Sequence, residues 1–210
     1  MAQVADQKLA LTPYTVTTKK WSQYANGLSS PGAINTLTGS MGVVVSNDGG
    51  LAFRHTDANL PGRCDSVATR TGCVNTDYLS SIVYDPAVAP KIKEVASHVF
   101  DAQRALPGHW GNLNFNAMTR TTNQSIIDAN RRKACPSNTA DDVGSCDEFS
   151  LASTYQGASR VASGNYSTRT VTPESNSSQG GIMSSYYTSQ RILDGDPFGL
   201  VAIKDGQSSW

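Results

Sequence analysis

Four cysteines in two closely spaced pairs constrain this chain more than any other feature. Cys64 with Cys73, and Cys135 with Cys146, each enclose a stretch rich in Gly, Ser, Asn and Asp, residues that suit looped chain. There is no Cys-x-x-Cys spacing and no His close to either pair, which argues against a zinc knuckle or a redox motif. Four cysteines admit three connectivities, and two local disulfides, Cys64–Cys73 and Cys135–Cys146, are the simplest of them. Any disulfide pairing puts the folded chain outside a reducing cytosol.

With 210 residues the chain is sized for one ordinary domain, or for a compact domain with an N-terminal extension. Hydrophobic residues make up 38% and charged ones 16%, with Ser, Thr, Asn and Gly abundant, so strands and turns are favoured over long surface helices. The 17 basic residues are balanced by 17 acidic ones, which excludes the global positive field that grips duplex nucleic acid at physiological salt. Any grip on phosphate must be local. Arg131-Arg132-Lys133, with Arg120, Arg160, Arg169 and Arg191, is the candidate patch, and scattered solvation charge is the plainer explanation of the same residues. No segment reaches the roughly 20 consecutive apolar residues of a membrane-spanning helix, so no membrane association is expected. The start, Met1 to Asp6, has no signal-peptide core, so a secreted protein is expected to have had its leader removed.

Along the chain, Thr12-Pro13-Tyr14-Thr15-Val16-Thr17 reads as an extended or edge segment. Met41–Ser46 and Leu51–Arg54 flank the turn Asn47-Asp48-Gly49-Gly50 as a β-hairpin. From Lys91 to Arg104, Ile92, Val95, Ala96, Val99, Phe100 and Gln103 recur at helical spacing between Pro90 and Pro107-Gly108. A second helix is expected from Ser125 to Ala134, capped by Asn123 or Ser125, with its basic trio at the C-terminal end. Phe149–Ala152 and Ser167–Thr172 read as partner strands, with Pro173 ending the second. A helix capped by Ser177 or Ser178 then runs to about Gln190, and Phe198–Ile203 closes as a strand. Of the histidines, His98 falls on the first helix and His55 and His109 in loops; all three read as packing or surface residues. Pro107-Gly108-His109-Trp110-Gly111 is an aromatic turn that either lines a nucleic-acid groove or plugs the core with Trp110. There is no Gly-x-Ser-x-Gly elbow, His-Glu-x-x-His motif, Walker loop or dinucleotide fingerprint.

The chemistry concentrates in Cys146-Asp147-Glu148-Phe149, then Ala152-Ser153-Thr154-Tyr155-Gln156-Gly157, then Glu174-Ser175-Asn176-Ser177-Ser178-Gln179-Gly180-Gly181. Adjacent carboxylates followed by an amide-rich helix start supply acid/base groups and oxygen donors for a hard cation. These segments resemble the NucA/NucB family of secreted bacterial deoxyribonucleases. The family motif runs Cys-Asp-Glu-Tyr-Pro-Phe-Ala-Ser-Thr-Tyr-Glu-Gly, then an acidic residue close before an Asn, then Gly-rich sequence. Tyr186-Tyr187 and the run from Arg191 to Phe198 are similar to that family's closing helix and last strand. The likeness covers the C-terminal third and fades upstream.

The resemblance implies an α+β fold: a small mixed sheet with a ββα-metal-like nuclease core over 86–210 and an N-terminal β-rich extension over 1–85, or one continuous domain. It implies a secreted, sequence-nonspecific endodeoxyribonuclease that contacts the DNA backbone and cuts by metal-assisted water attack, with Mg²⁺ or Mn²⁺ as cofactor. Carried over by position, Asp147 takes the proton from water, in place of the His of many such nucleases, and Glu148 is a neighbouring ligand or orienter. Asn176 with Glu174 surrounds the metal, and Gln156, Ser153, Gln179 and Arg191 contact phosphate or stand behind it. Two alternatives share the sequence: a DNase toxin domain held by an immunity protein, and a noncatalytic nucleic-acid-binding or scaffold relative.

The residues themselves set some of this in tension. Strand alternation sends Asp147 and Glu148 to opposite faces, so the two share a site only if the strand is irregular at Cys146. Asn and Ser at a helix start also act as plain caps. The chain departs from the family motif at Gln156, which keeps an oxygen donor but loses the charge of Glu, and at Ser150, which replaces Pro.

Overall fold

The computed structural model describes residues 32–46, 52–67, 71–112, 114–136 and 144–210. They belong to two compact units, Met1–Tyr78 and Leu79–Trp210. In the first unit, β1 (Ile34–Ser46) and β2 (Ala52–Asp65) form a long antiparallel hairpin with a bulge between Gly39 and Ser40. The strands extend well beyond the expected Met41–Arg54 hairpin, and its turn at 47–50 lies outside the described residues, as does the 12–17 segment. β3 (Gly72–Asn75) adds antiparallel to β2 with Cys73 directly opposite Cys64, and the disulfide Cys64–Cys73 joins that pair.

The second unit is α+β. A small mixed sheet runs in the order β4 (Ser81–Tyr84), β8 (Pro197–Lys204), β5 (Met118–Thr119), with β9 (Gln207–Ser208) also pairing β8. β4 lies parallel to β8 and β5 antiparallel to it. β6 (Ser145–Phe149) and β7 (Ser167–Val171) form a separate antiparallel ribbon, with Asp147 opposite Arg169. Three helices complete the unit: α1 (Lys93–Ala105), entered through a 3-10 turn at Pro90–Ile92, α2 (Gln124–Ala134) and α3 (Pro173–Ser189).

α1 forms where the apolar period requires it, and its buried stripe of Val95, Ala96, Val99 and Ala102 packs in one core with Tyr84, Met118, Phe149, Phe198 and Leu200. α2 is capped as expected, since the Asn123 side chain accepts from the backbone N–H groups of Ser125 and Ile126. β6 starts earlier than the expected Phe149–Ala152 strand and stops at Phe149, after which residues 151–154 turn. α3 also starts earlier. Thr172 is its cap, accepting from Ser175 N–H, and Pro173 is its first residue rather than a strand terminator, because a proline at that position loses no helix hydrogen bond. α3 is rich in Ser and Gly, poor helix formers, so its contacts through Met183, Tyr186 and Tyr187 with the core carry it. Trp110 packs against the same core and donates its indole N–H to the Asn165 carbonyl at 3.1 Å, so the aromatic turn is a plug. Among the described residues no helix is long and apolar enough to cross a membrane.

Candidate active site

The ribbon strand β6 is paired on one side only, by β7. Against its other edge lies the start of α3, where Asn176 donates Nδ2 to the Ser145 hydroxyl at 2.8 Å and to the Cys146 carbonyl at 3.1 Å. Beside this contact opens a cleft of about 400 Å³, walled by β6, the 151–153 turn, α2 and α3. Asp147 and Glu148 both line it. Each has its own partner: the Asp147 carboxylate bonds to His98 of α1, and the Glu148 carboxylate lies within the field of Arg131 of α2.

Asp147 is 2% exposed. Its Oδ2 lies 2.6 Å from Nδ1 of His98, a fully buried residue of α1, whose Nε2 is 2.9 Å from the Ser167 hydroxyl on β7. Burial raises the proton affinity of Asp147, and hydrogen bonding and charge from His98, with the charge of Arg169, act against that rise. Glu148 is pushed up to about 7 by burial and by the negative charge of Asp147, with Arg131 opposing. Glu148 thus stands beside a second carboxylate, with Arg131 as the cation that acts on it within the cleft. With Asn176 Nδ2 committed to β6, its Oδ1 stays outside those bonds. Glu148 and Asn176 both line the cleft and carry oxygen donors, the ligand type that a hard cation such as Mg²⁺ takes. Among the described residues no group of three or more His, Cys, Asp and Glu gathers around a single metal position.

The opposite wall is cationic and hydroxylic. Arg120 lies over the Tyr187 ring at 4.3 Å and donates Nη1 to the Ile192 carbonyl. Ser153 and Tyr187 share a hydrogen bond of 2.9 Å, and burial pushes the Tyr187 phenol up to about 12, so it stays a neutral donor. Arg131 reaches the cleft from α2, whose C-terminal end is tied to β6 by the disulfide Cys135–Cys146. Gly180 of α3 also lines the cleft, and a Cβ there would meet nothing within 4 Å, so the missing side chain keeps open space above the carboxylates.

A protein-family comparison decides what this cleft belongs to: residues 110–201 match the family model for deoxyribonuclease NucA/NucB. Over that stretch the chain is similar to the NucA/NucB deoxyribonuclease family. No curated protein and no solved structure matches the chain. The matched stretch holds β5, α2, β6, β7, α3 and most of β8, and with them nearly the whole cleft. β4 and α1, which carries His98, precede it.

Of the residues that the NucA/NucB resemblance implies, Asp147, Glu148, Asn176, Ser153 and Gln179 line the cleft together, and Glu174, Gln156 and Arg191 do not. Glu174 lies on the outer side of α3, 65% exposed, paired with Lys91 at 2.7 Å. Gln156 accepts from Thr119 N–H at 2.8 Å and donates to the Thr119 hydroxyl at 3.4 Å, joining its loop to β5. An amide supplies both partners there, whereas a glutamate lacks the donor, which accounts for the departure from the family motif in packing terms. Arg191 takes a left-handed backbone (φ 53) just past α3, where its N–H bonds to Thr188 O and that of Ile192 to Tyr187 O, a Schellman closure of the helix. Sequence reasoning missed His98 as a partner of the site and named Arg120 and Arg131 only as patch residues. A signal for His98 existed, because it falls between Val95 and Ala102 on the apolar stripe of α1, where a polar ring needs a partner.

Proposed function

We propose that the second unit hydrolyses DNA phosphodiester bonds endonucleolytically, without sequence preference and with a divalent metal ion, in a protein that works outside the cell. The observation that carries this reading is the shared cleft, lined by the buried Asp147, the half-buried Glu148 and Asn176 together with Arg120 and Arg131. Asp147 takes a proton from water as the water oxygen attacks phosphorus and the bond to the leaving oxygen breaks. Burial raises its basicity while His98 holds the charged form, a combination that suits a base near neutral pH. Arg120, Arg131 and the Ser153–Tyr187 pair face non-bridging phosphate oxygens, contacts that read the backbone and not the base. Glu148 and Asn176 hold the cation, Mg²⁺ or Mn²⁺. When bound, that ion supplies positive charge to the phosphoryl oxygens. Secretion is supported by the two disulfides, which persist in oxidising compartments.

Supercoiled plasmid incubated with the pure protein and Mg²⁺ or Mn²⁺ should be nicked and degraded, and EDTA should stop it. Intact plasmid with excess protein across both metals would instead support a noncatalytic relative. Asp147→Ala should lose cutting by roughly 100-fold or more while still melting cooperatively; retained activity removes the proposed base.

A further inference from the structure

We propose that His98 is the positioning residue of this site: it holds Asp147 in one orientation through a hydrogen-bonded chain that ends at Ser167. The inference rests on Asp147 being the proton acceptor, and it adds a residue from α1, outside the matched stretch 110–201.

Both ring nitrogens of His98 are engaged, Nδ1 with Asp147 Oδ2 at 2.6 Å and Nε2 with the Ser167 hydroxyl at 2.9 Å, so the ring plane is fixed. As the proton acceptor of the reaction, the Asp147 carboxylate has no hydrogen to give, so Nδ1–H of His98 donates to its Oδ2. In a neutral ring Nε2 then accepts from the Ser167 O–H. A ring fully buried among Val95, Val99 and Phe149 cannot exchange these partners for water. The remaining charged or titratable neighbours of Asp147 are Arg169 across the ribbon, Glu148 next along the strand, and Tyr84 of β4. The imidazole is the donor at shortest range. Without it Asp147 Oδ2 loses its 2.6 Å partner, and the carboxylate turns away from the orientation in which it meets the attacking water. The effect falls on the chemical step and leaves DNA binding alone, because His98 lies behind Asp147 and does not line the cleft.

Two variants separate positioning from packing. His98→Leu keeps an apolar side chain of similar bulk and removes the donor; His98→Asn keeps an N–H close to the Nδ1 position. The Leu variant should lose roughly 100-fold in kcat with KM within about twofold, and the Asn variant should recover most of that loss. Wild-type kcat in the Leu variant, or an Asn variant as impaired as Leu when both melt cooperatively, overturns the proposal. If the Leu variant does not fold, Ser167→Ala carries the test. It frees Nε2 at the half-buried end of the chain and should lower kcat several-fold at constant KM, and an unchanged kcat overturns the proposal. Asp147→Ala, run alongside, keeps the two ideas apart. Activity in that variant defeats the assignment of the base, whereas an inactive Asp147→Ala beside a fully active His98→Leu defeats only the role of His98.

Discussion

Arg120 lies over the Tyr187 ring on the wall of the cleft, the guanidinium carbon 4.3 Å from the ring centroid. Both side chains are tied a second time, Arg120 to the Ile192 carbonyl and Tyr187 to the Ser153 hydroxyl. The positive charge is thereby held in one place beside the carboxylates, and little ordering remains to be done when a phosphate arrives.

Arg120→Ala should therefore raise KM for duplex DNA by about 10-fold with a smaller effect on kcat, and should flatten the salt dependence of binding. Arg120→Lys keeps the charge but loses the planar stacking, so it should fall between the two. Steady-state kinetics at two salt concentrations check both; an Ala variant with unchanged KM and salt slope removes Arg120 from the phosphate contacts.

Asn130 should be the most sensitive structural residue near the cleft. Fully buried on α2, it donates to the carbonyls of Ala152 (2.8 Å) and Thr154 (3.1 Å) and accepts from the Ser159 N–H (3.1 Å), so it fixes the turn that carries Ser153. Asn130→Ala should cost about 2–4 kcal/mol in denaturant unfolding, since several buried partners lose their bonds at once. Gly157→Ala should be destabilising for the same reason, because its Cβ would stand 2.1 Å from Asn130 Nδ2. A midpoint shift within error for either variant would contradict this.

The raised pKa of Glu148 predicts a pH-dependent stability. Its ordinary value is 4.5 and its folded value about 7, so between those limits the folded state binds the proton more tightly than the unfolded chain. Stability from this group is full below pH 4.5, falls as pH rises, and is gone above about 7. In metal-free protein, Glu148→Gln should raise Tm by roughly 5 °C at pH 8 and leave it unchanged at pH 4. Mg²⁺ should raise Tm of the wild type at pH 8 by more than it raises Tm of Glu148→Gln. Equal Tm for the two proteins at pH 8, with equal responses to Mg²⁺, would mean that Glu148 is neither strained nor a cation donor.

The Cys135–Cys146 disulfide joins the helix of Arg131 to the strand of Asp147 and Glu148, across a sequence separation of 11. Replacing both cysteines by serine should cost about 3 kcal/mol by the chain-entropy argument. It should also raise KM several-fold, since the distance between Arg131 and the carboxylates is then less constrained. Guanidinium unfolding and kinetics on the double variant measure the two effects separately, and an unchanged KM would show that the bridge serves stability alone.

Much of the fold was legible in the chain because its signals are local. The apolar period of α1, the Asn123 cap of α2, the two short cysteine spacings and the Asp147-Glu148 motif each depend on residues a few positions apart. The start of α3 was misread because Pro173 is compatible with both a strand end and a helix start, and the cap at Thr172 decides between them. Glu174 stands only five residues before Gln179 yet faces Lys91 at the surface, since five residues carry the helix well past one full turn of about 3.6 and onto a different side.

The sequence by itself determined which chemical groups this protein owns and the family that its C-terminal part resembles. Tertiary structure alone decided which of those groups meet. The packing of β6 against α2 and α3 puts Asp147 and Glu148 on the lining of one cleft, and the packing of α1 beneath β6 brings His98 to within 2.6 Å of a residue 49 positions away. Contacts of that range follow from how apolar faces are buried together, and no spacing along the chain encodes the angle at which a helix crosses a strand.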